Sequence, residues 1–397
     1  MAVAATHIPR VKIGILGAIT IAAYGCWFYA FGVLFDPILR DTGWSEAGLA
    51  SAFSISVLLG GLGSIGGGWL LDRFGSRLVF LLGAIVALVT FQIAASATSL
   101  AIFTLAGAIG GGTIGALAFY HVTQTTAVRI SPGRSDRAIA VLTIWGAFAS
   151  AIYMPIAALM VGPLGWRVTL RTLTTSAVVV LLIGAVVINT RTPSMPRTRN
   201  VLGDLKQALS QSPARRFLVA QGLAGIGVAT ILVYQVPAMT AAGLPLAVAS
   251  FWAGARGFSQ LFGRLPLMPI VTRFGVVGSL RIAYSSTALG TLVLAVAGNP
   301  WLAAVYAILA GFGIGATSPL VGMHSNEVFG QRSLGTAMGV IGMVFLVVGS
   351  IGPALAGLVA DATGSRALPV AVAAFVTFSA AWVIRPWSAR ESPQDVQ

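Results

Sequence analysis

"GGWLLDRFGSRLVF", residues 67–80, interrupts an almost chargeless run with Asp72, Arg73 and Arg77. Two hundred residues later the chain writes "VTRFGVVGSL", residues 271–280, with Arg273, Phe274 and Gly275 in the register of Arg73, Phe74 and Gly75. A charged turn that returns after half the chain length points to a duplicated unit. What kind of unit depends on the oily sequence around it.

The chain is 57% hydrophobic and only 9% charged, where a soluble domain carries about 25% charged residues. Stretches near 12–37, 47–71, 77–97, 100–127, 138–161, 167–189, 215–241, 246–271, 277–297, 301–324, 334–360 and 367–385 are each apolar enough for a membrane helix, which takes about 20 residues. Twelve spans are therefore expected, in an all-α integral membrane protein. The breaks between them, such as "GPLGWR" at 162–167, "AGNP" at 297–300 and "DATGSR" at 361–366, collect the Gly, Pro and Asn that end helices. One long polar segment, 190–216, carries three prolines and six basic residues near mid-chain and reads as a linker, with a short amphipathic helix expected at 201–211. The first apolar run is too long for the core of a cleavable signal, and Arg10 and Lys12 flank it as retained anchors would.

Lys plus Arg number 24 against 10 acidic residues, an excess that on a soluble protein would suggest nucleic acid. Here position decides. If both termini lie on one side, 18 of the 24 basic residues fall there, including Arg73, Arg77, Arg129, Arg273 and the linker's six. Basic residues mark the cytoplasmic face, so both termini are expected inside, the chain is expected in the cell's inner (plasma) membrane, and no nucleic acid is expected. Lys12 and Lys206 are the only lysines and neither ends a glycine-rich phosphate loop. Cys26 is the single cysteine, which excludes an intrachain disulfide and a multi-cysteine metal site. No cofactor and no metal are expected.

The spacing of 200 also relates Gly25 to Gly225, Gly111 to Gly311 and Gly115 to Gly315. The expected organisation is a six-helix half at 1–189, a cytoplasmic linker at 190–214 and a second half at 215–397. Parallel halves of this kind form a transporter plan with the substrate between them near the midplane. The pattern Gly68-x-x-x-Asp72-Arg73-x-Gly75-x-Arg77 resembles the loop signature between helices 2 and 3 of the major facilitator superfamily. The resemblance spans essentially the whole chain. It implies that Gly68, Asp72, Arg73, Gly75 and Arg77 gate the cytoplasmic end, with Arg273 and Gly275 as a degenerate second copy that has Thr272 where the aspartate would stand. Within the superfamily, "YAFGVLFDPILRDTGWSEAGLASAFS" at 29–54, and Pro155 with "GWR" at 165–167, are similar to the bacterial monocarboxylate and oxalate/formate branch. The acidic-Gly-Gly-Trp signature and first-span lysine of animal members have no counterpart, and "YMPIAA" at 153–158 replaces the drug antiporters' Gly-Pro-x-x-Gly.

Candidate site residues follow. In the first span Tyr24, Trp27, Phe28 and Phe31 stand at i, i+3, i+4 and i+7 and are expected on one face. In the fourth, Tyr120 and Gln124 share a face, and His121 is a proton-carrier candidate because imidazole titrates near neutral pH. His324 is expected at the cytoplasmic gate with Glu327; Tyr234, Gln235, Trp145 and Tyr153 are further polar or aromatic positions. Arg256, Gln260 and Arg264 form a stripe at i, i+4 and i+8 in the eighth span, the arginines about 12 Å apart along it. An intramembrane arginine normally faces a cavity and a partner, and a guanidinium fork fits a carboxylate. By resemblance, Arg264 matches the helix 8 arginine that holds the substrate carboxylate, and Arg256, placed by depth alone, is expected to hold a second polar group of the cargo; the alternative role of Arg264 is bonding to backbone carbonyls near the gate.

The resulting expectation is a secondary transporter of a small organic anion, a mono- or dicarboxylate, proton-coupled or exchanging, that works as a monomer in the lipid bilayer. A drug or amphiphile exporter of the same superfamily is the alternative. An intramembrane enzyme lacks its catalytic groups: the spans hold no Glu, and Asp36 lies near a helix end. Topology is directly testable. An impermeant thiol reagent outside intact cells should miss cysteines placed at Ala5, Asn200 and Ser392 and reach those placed at Leu164 and Asn299. Labelling at position 200 from outside would overturn the assignment.

Overall fold

The computed structural model describes residues 9–190 and 212–384, so the helix expected at 201–211 lies outside the described residues. Those residues form helices and turns: α1 (Arg10–Ala23), a π-helical turn (Tyr24–Tyr29), α2 (Ala30–Thr42), α3 (Glu46–Phe74), α4 (Ser76–Ser96), α5 (Leu100–Ala118), α6 (Tyr120–Ile130) and α7 (Ser135–Val187), then α8 (Ser212–Ala241), α9 (Leu246–Arg264), α10 (Leu267–Leu294), α11 (Pro300–Gly349), α12 (Ile351–Thr363) and α13 (Ala367–Val383). Among the described residues nine helical stretches are long and apolar enough to cross a membrane, and one of these, 137–187, is broken at Gly165. The expected spans at 246–271 and 367–385 appear as α9, which falls below that threshold, and as α13, of 17 residues. The outer surface is as oily as the interior, with Leu105, Leu159, Val186 and Trp301 largely exposed. In lipid such a surface is solvated, and helices satisfy their own backbone groups.

Several expected boundaries moved. The fourth span breaks at Phe119 (ψ 178°), separating α5 from α6. The eighth span ends at Arg264, because Pro266 lacks the amide needed to continue, and the chain resumes at Leu267. The tenth and eleventh spans run as one helix, α11, past the expected break. The repeated turn kept its place. Gly75 (φ 81°, ψ 173°) and Gly275 (φ 69°, ψ 172°) share one left-handed conformation, which a residue with a Cβ adopts only with strain.

Gly43, Gly165, Gly243 and Gly364 mark turns at one end of the bundle, the distal end; Gly75, Gly133, Gly275 and residue 9 mark the opposite, terminal end. The helices before residue 190 meet those after 212 largely through glycine in the distal half. A Cβ on Gly32 of α2 would lie 2.8 Å from the Leu232 carbonyl of α8. One on Gly357 of α12 would lie 2.7 Å from Ala47 Cα of α3, and one on Gly254 of α9 would lie 3.0 Å from the Ser150 carbonyl of α7. Small residues let backbones approach this closely in membranes. Hydrogen bonds cross at the same places: Ala354 N donates to Ser54 Oγ (3.0 Å) and Ser150 Oγ to the Gly254 carbonyl (3.1 Å).

Gly32→Ala should therefore cost about 1–3 kcal/mol by overpacking and lower the apparent Tm in detergent. Gly14→Ala, where the new Cβ meets nothing within 4 Å, should gain roughly 0.5–1 kcal/mol from helix propensity. Equal melting temperatures for the two variants would mean that α2 and α8 do not approach this closely.

Candidate functional site

Three irregularities bring polar side chains together in the bundle. The π-helical turn Tyr24–Tyr29 rotates the end of α1 by an extra residue, so the expected stripe is split. Tyr24 stacks on Phe119 (3.9 Å between centroids, 14° between planes) and lies 5.3 Å from the Tyr120 ring and 6.3 Å from the Tyr29 ring. The break at Phe119 sets Tyr120 toward α7, where Gly146 leaves room: a Cβ there would overlap the Tyr120 hydroxyl. The third irregularity is the end of α9 at Arg264.

Thr143 of α7 collects the donors. The Tyr120 hydroxyl donates to its carbonyl (3.4 Å), Gln124 Nε2 to its Oγ1 (3.4 Å), and Arg264 Nη1 to its carbonyl (3.1 Å). Arg264 Nε adds a bond to the Gly315 carbonyl at 3.4 Å. The backbone-carbonyl role foreseen as the alternative for Arg264 is thus the geometry observed. Gln260, between the two arginines on α9, is half-buried.

Arg256 is different. It is 1% exposed, and Nε donates to Gln235 Oε1 at 3.0 Å. The same oxygen accepts from the Tyr306 hydroxyl at 2.8 Å, so the amide is held from two sides. Arg256 Cζ stands 5.9 Å from the Tyr29 ring centroid, and Nη2 is buried with no hydrogen-bond partner. A buried guanidinium normally has a carboxylate; here its acceptor is a neutral amide. Sequence reasoning missed Tyr29, Thr143 and Tyr306. The sequence carries no mark of the π-helical turn that brings Tyr29 in.

Other expectations are corrected. Trp27 donates through Nε1 to Ser56 Oγ (2.9 Å) and packs against Phe31, Phe91 and Phe103, while Phe28 packs against Phe53 and Phe119. Both are buried in the aromatic core. Tyr234 faces Phe35 (5.5 Å) and the Glu46 carboxylate near the distal end, one residue and a third of a turn away from Gln235, which meets Arg256. His121 Nε2 lies 2.8 Å from the Ala116 carbonyl, an acceptor only, so that nitrogen carries the proton and the ring points back across the helix break. Tyr153 fills the gap at Gly25 and bonds Ser176 Oγ (2.7 Å), and Trp145 lies over Gly17.

At the terminal end Asp72 pairs with Arg129, whose Nη1 also holds the Leu71 carbonyl at 3.0 Å. Arg73 lies over Trp69 and Phe74 (5.4 and 5.5 Å), Arg273 over Phe274 (5.4 Å), Arg77 is exposed, and Gly68 faces open space. His324 Nδ1 meets Glu327 Oε2 at 3.0 Å, with its ring 4.7 Å from Phe217.

The family model described as Major Facilitator Superfamily matches residues 16–246 and again 217–397. Monocarboxylate transporter 13 of Rattus norvegicus is 25% identical over 358 residues, 88% of this chain and 81% of that protein. The uncharacterized MFS-type transporter YhhS of Escherichia coli (strain K12) is 28% identical over 151 residues, so the chain spans only 36% of the length of that relative. Among solved structures, the nucleoside transporter NupG superposes with a TM-score of 0.77 at 15% identity, over 94% of this chain and 98% of that one. The D-xylose-proton symporter gives 0.75 at 13% identity, over 96% and 98%. At such identities these two likenesses show the fold alone.

The turn that opened the sequence reading makes a prediction here. Asp72→Asn removes an ion pair at the terminal end, far from Arg256. It should slow transport about fivefold, the rate change that about 1 kcal/mol makes, with substrate affinity unchanged. Thr272→Ala should stay near wild type; equal slowing in the two variants would show that the two turns do the same job.

Proposed function

The chain belongs to the major facilitator superfamily and is a secondary transporter rather than an enzyme; we propose that its cargo is a small organic anion, a mono- or dicarboxylate, held by Arg256. One observation carries this reading: a guanidinium 1% exposed, with one nitrogen unpartnered and a neutral amide as its acceptor. Taking such a charge out of water costs several kcal/mol. A carboxylate bound at Nη2 supplies the missing counter-charge and a charge-assisted hydrogen bond. Tyr29 lies beside Arg256, and Tyr120, Gln124 and Arg264 converge on Thr143 close by. These groups offer hydroxyl, amide and cationic donors to a second polar end of the cargo. An exporter of cations would want a carboxylate at this depth, where the chain places arginine.

On the same reading the chain is two halves, 1–189 and 215–397, joined by a cytoplasmic linker, with the termini inside. The halves rock about the site as rigid bodies, and the glycine contacts at Gly32, Gly254 and Gly357 are the surfaces on which they slide. His121, whose Nε2 is engaged by the Ala116 carbonyl, stays the proton-carrier candidate beside this site.

Proteoliposome uptake of radiolabelled mono- and dicarboxylates, with a nucleoside and a pentose alongside, tests the cargo. For the transported anion, Arg256→Gln should cut uptake about 30-fold or more, as losing about 2 kcal/mol or more of a buried charge-assisted contact does. Arg256→Lys should retain part of it, since lysine keeps the charge and loses the fork. Arg264→Gln should cost less than Arg256→Gln, because its hydrogen bonds end on backbone carbonyls. Wild-type uptake by Arg256→Gln, or uptake of the nucleoside or pentose in preference to every anion, would sink the proposal.

A further inference from the structure

The distal end holds a charge cluster that the anion site does not use. Arg366, in the turn before α13, reaches across to the other set of helices: Nη1 meets Asp36 Oδ1 of α2 at 2.7 Å and Nη2 meets Glu46 Oε1 of α3 at 2.7 Å. Asp361 of α12 caps α3, accepting from the amides of Glu46 (3.1 Å) and Ala47 (2.9 Å). From α8, Thr240 Oγ1 donates to Asp36 Oδ2 (3.0 Å), and the Tyr234 hydroxyl faces Glu46. Burial works against the Arg366 charge, yet its bonds to Glu46 and Asp36 outweigh that and hold the guanidinium above its ordinary value. The residues that do this, Asp361-x-x-Gly364-Ser365-Arg366, repeat the pattern Asp72-x-x-Gly75-Ser76-Arg77 from the opposite end.

Two features set this cluster apart from a plain ion-pair staple. Two carboxylates share one arginine: Asp361 is satisfied by helix amides, and among the described residues Asp36 and Glu46 together have only Arg366 as counter-charge. Beside them, Glu46 Oε2 and the fully buried Tyr234 hydroxyl find no hydrogen-bond partner of good geometry. Arg40, one turn beyond Asp36 on α2, is exposed, and Asp41 is engaged with Arg167 and the Trp166 indole.

We propose that Asp36 and Glu46 form a proton-operated gate at the distal end, at which a proton and Arg366 compete for the same carboxylate oxygens. This rests on the secondary-transporter reading. Asp36 and Glu46 sit on one set of helices, and Arg366 and Asp361 on the other. Opening the distal end withdraws Arg366 and leaves two adjacent carboxylates without a cation. Like charges so placed favour uptake of one proton, which converts one carboxylate to a carboxylic acid and makes it a donor. Closing returns Arg366, which takes the carboxylate oxygens, and the displaced proton passes to the water leaving the distal mouth. The sign follows: the closed state prefers both carboxylates ionised, so acid favours the open distal end and alkali the closed one.

The test needs no substrate, so its failure is distinct from failure of the anion assignment. Spin labels on cysteines placed at Thr98 and Ala241, exposed positions at the distal end on the two sets of helices, report opening by pulsed dipolar spectroscopy in nanodiscs. Lowering pH from 8 to 5 should raise the ratio of long- to short-distance populations by up to about tenfold per pH unit, the slope that one proton gives. Asp36→Asn combined with Glu46→Gln should show the long distance already at pH 8 and no pH response. Arg366→Gln should also open at pH 8, and it keeps the idea testable if the double variant does not fold. Asp41→Asn should respond to pH like wild type. A wild type unchanged between pH 8 and 5, a double variant with the wild-type response, or opening driven by sodium at fixed pH would each overturn the proposal.

Discussion

Arg256 brings a positive charge into the middle of an apolar bundle, and the acceptor that meets it there is the neutral amide of Gln235. Much of the central architecture serves to keep that charge in place. Tyr306 donates to the same amide oxygen, which fixes Gln235 so that it accepts from Arg256. The face of Tyr29 adds quadrupole attraction, worth about 0.5–2 kcal/mol depending on desolvation. None of these groups neutralises the guanidinium. A charge held by dipoles alone stays ready for an anion, and that is the condition a site must meet to bind cargo and let it go.

Holding such a site between two sets of helices also requires that they move against each other. Glycine makes the crossings at Gly32, Gly254 and Gly357 close enough for backbone to touch backbone. Few side chains interlock there, so sliding one helix along its neighbour does not require many rotamers to change. The polar crossings differ in kind. Ser54, Ser150 and Arg264 bond to backbone groups, which recur along a helix and can be exchanged for the next. Arg366 instead bonds specific carboxylates, and those contacts are lost whole.

How much of this the sequence showed depended on the range of the interaction. Apolar runs and glycine-rich breaks are local, so most spans could be placed, and the recurrence of Gly75 at Gly275 was readable because both need a left-handed backbone. Arg256 and Arg264 both stood out because a charge in an apolar run has few explanations, but the sequence could not tell which of them ends on backbone carbonyls, as Arg264 does. The π-helical turn at Tyr24–Tyr29 and the break at Phe119 left no trace, since neither contains proline and packing imposes them. That is why the sequence placed Trp27 and Phe28, which the structure buries in the core, on one face with Tyr24, and why Tyr29 was passed over. The Arg366 cluster joins residues 320 positions apart in sequence, and only the fold brings them together.

The two ends of the molecule carry the same Asp-x-x-Gly-Ser-Arg pattern and use it unequally. At the terminal end Asp72 is paired with Arg129, which belongs to the same set of helices. Separating the two sets leaves that pair intact, so Asp72 acts on the transport rate through the turn it holds between α3 and α4 and not through a bond across the two sets. At the distal end Asp36 and Glu46 are paired with Arg366 from the opposite set, and the one other basic residue on α2, Arg40, is exposed. Separation there leaves two adjacent carboxylates without their cation, and like charges so placed favour uptake of a proton. Ion pairing at the terminal end stays within one set of helices, whereas at the distal end it joins the two sets and must be broken for them to part. On the proposed gate, that asymmetry makes the distal end, and not the terminal one, the end that responds to protons.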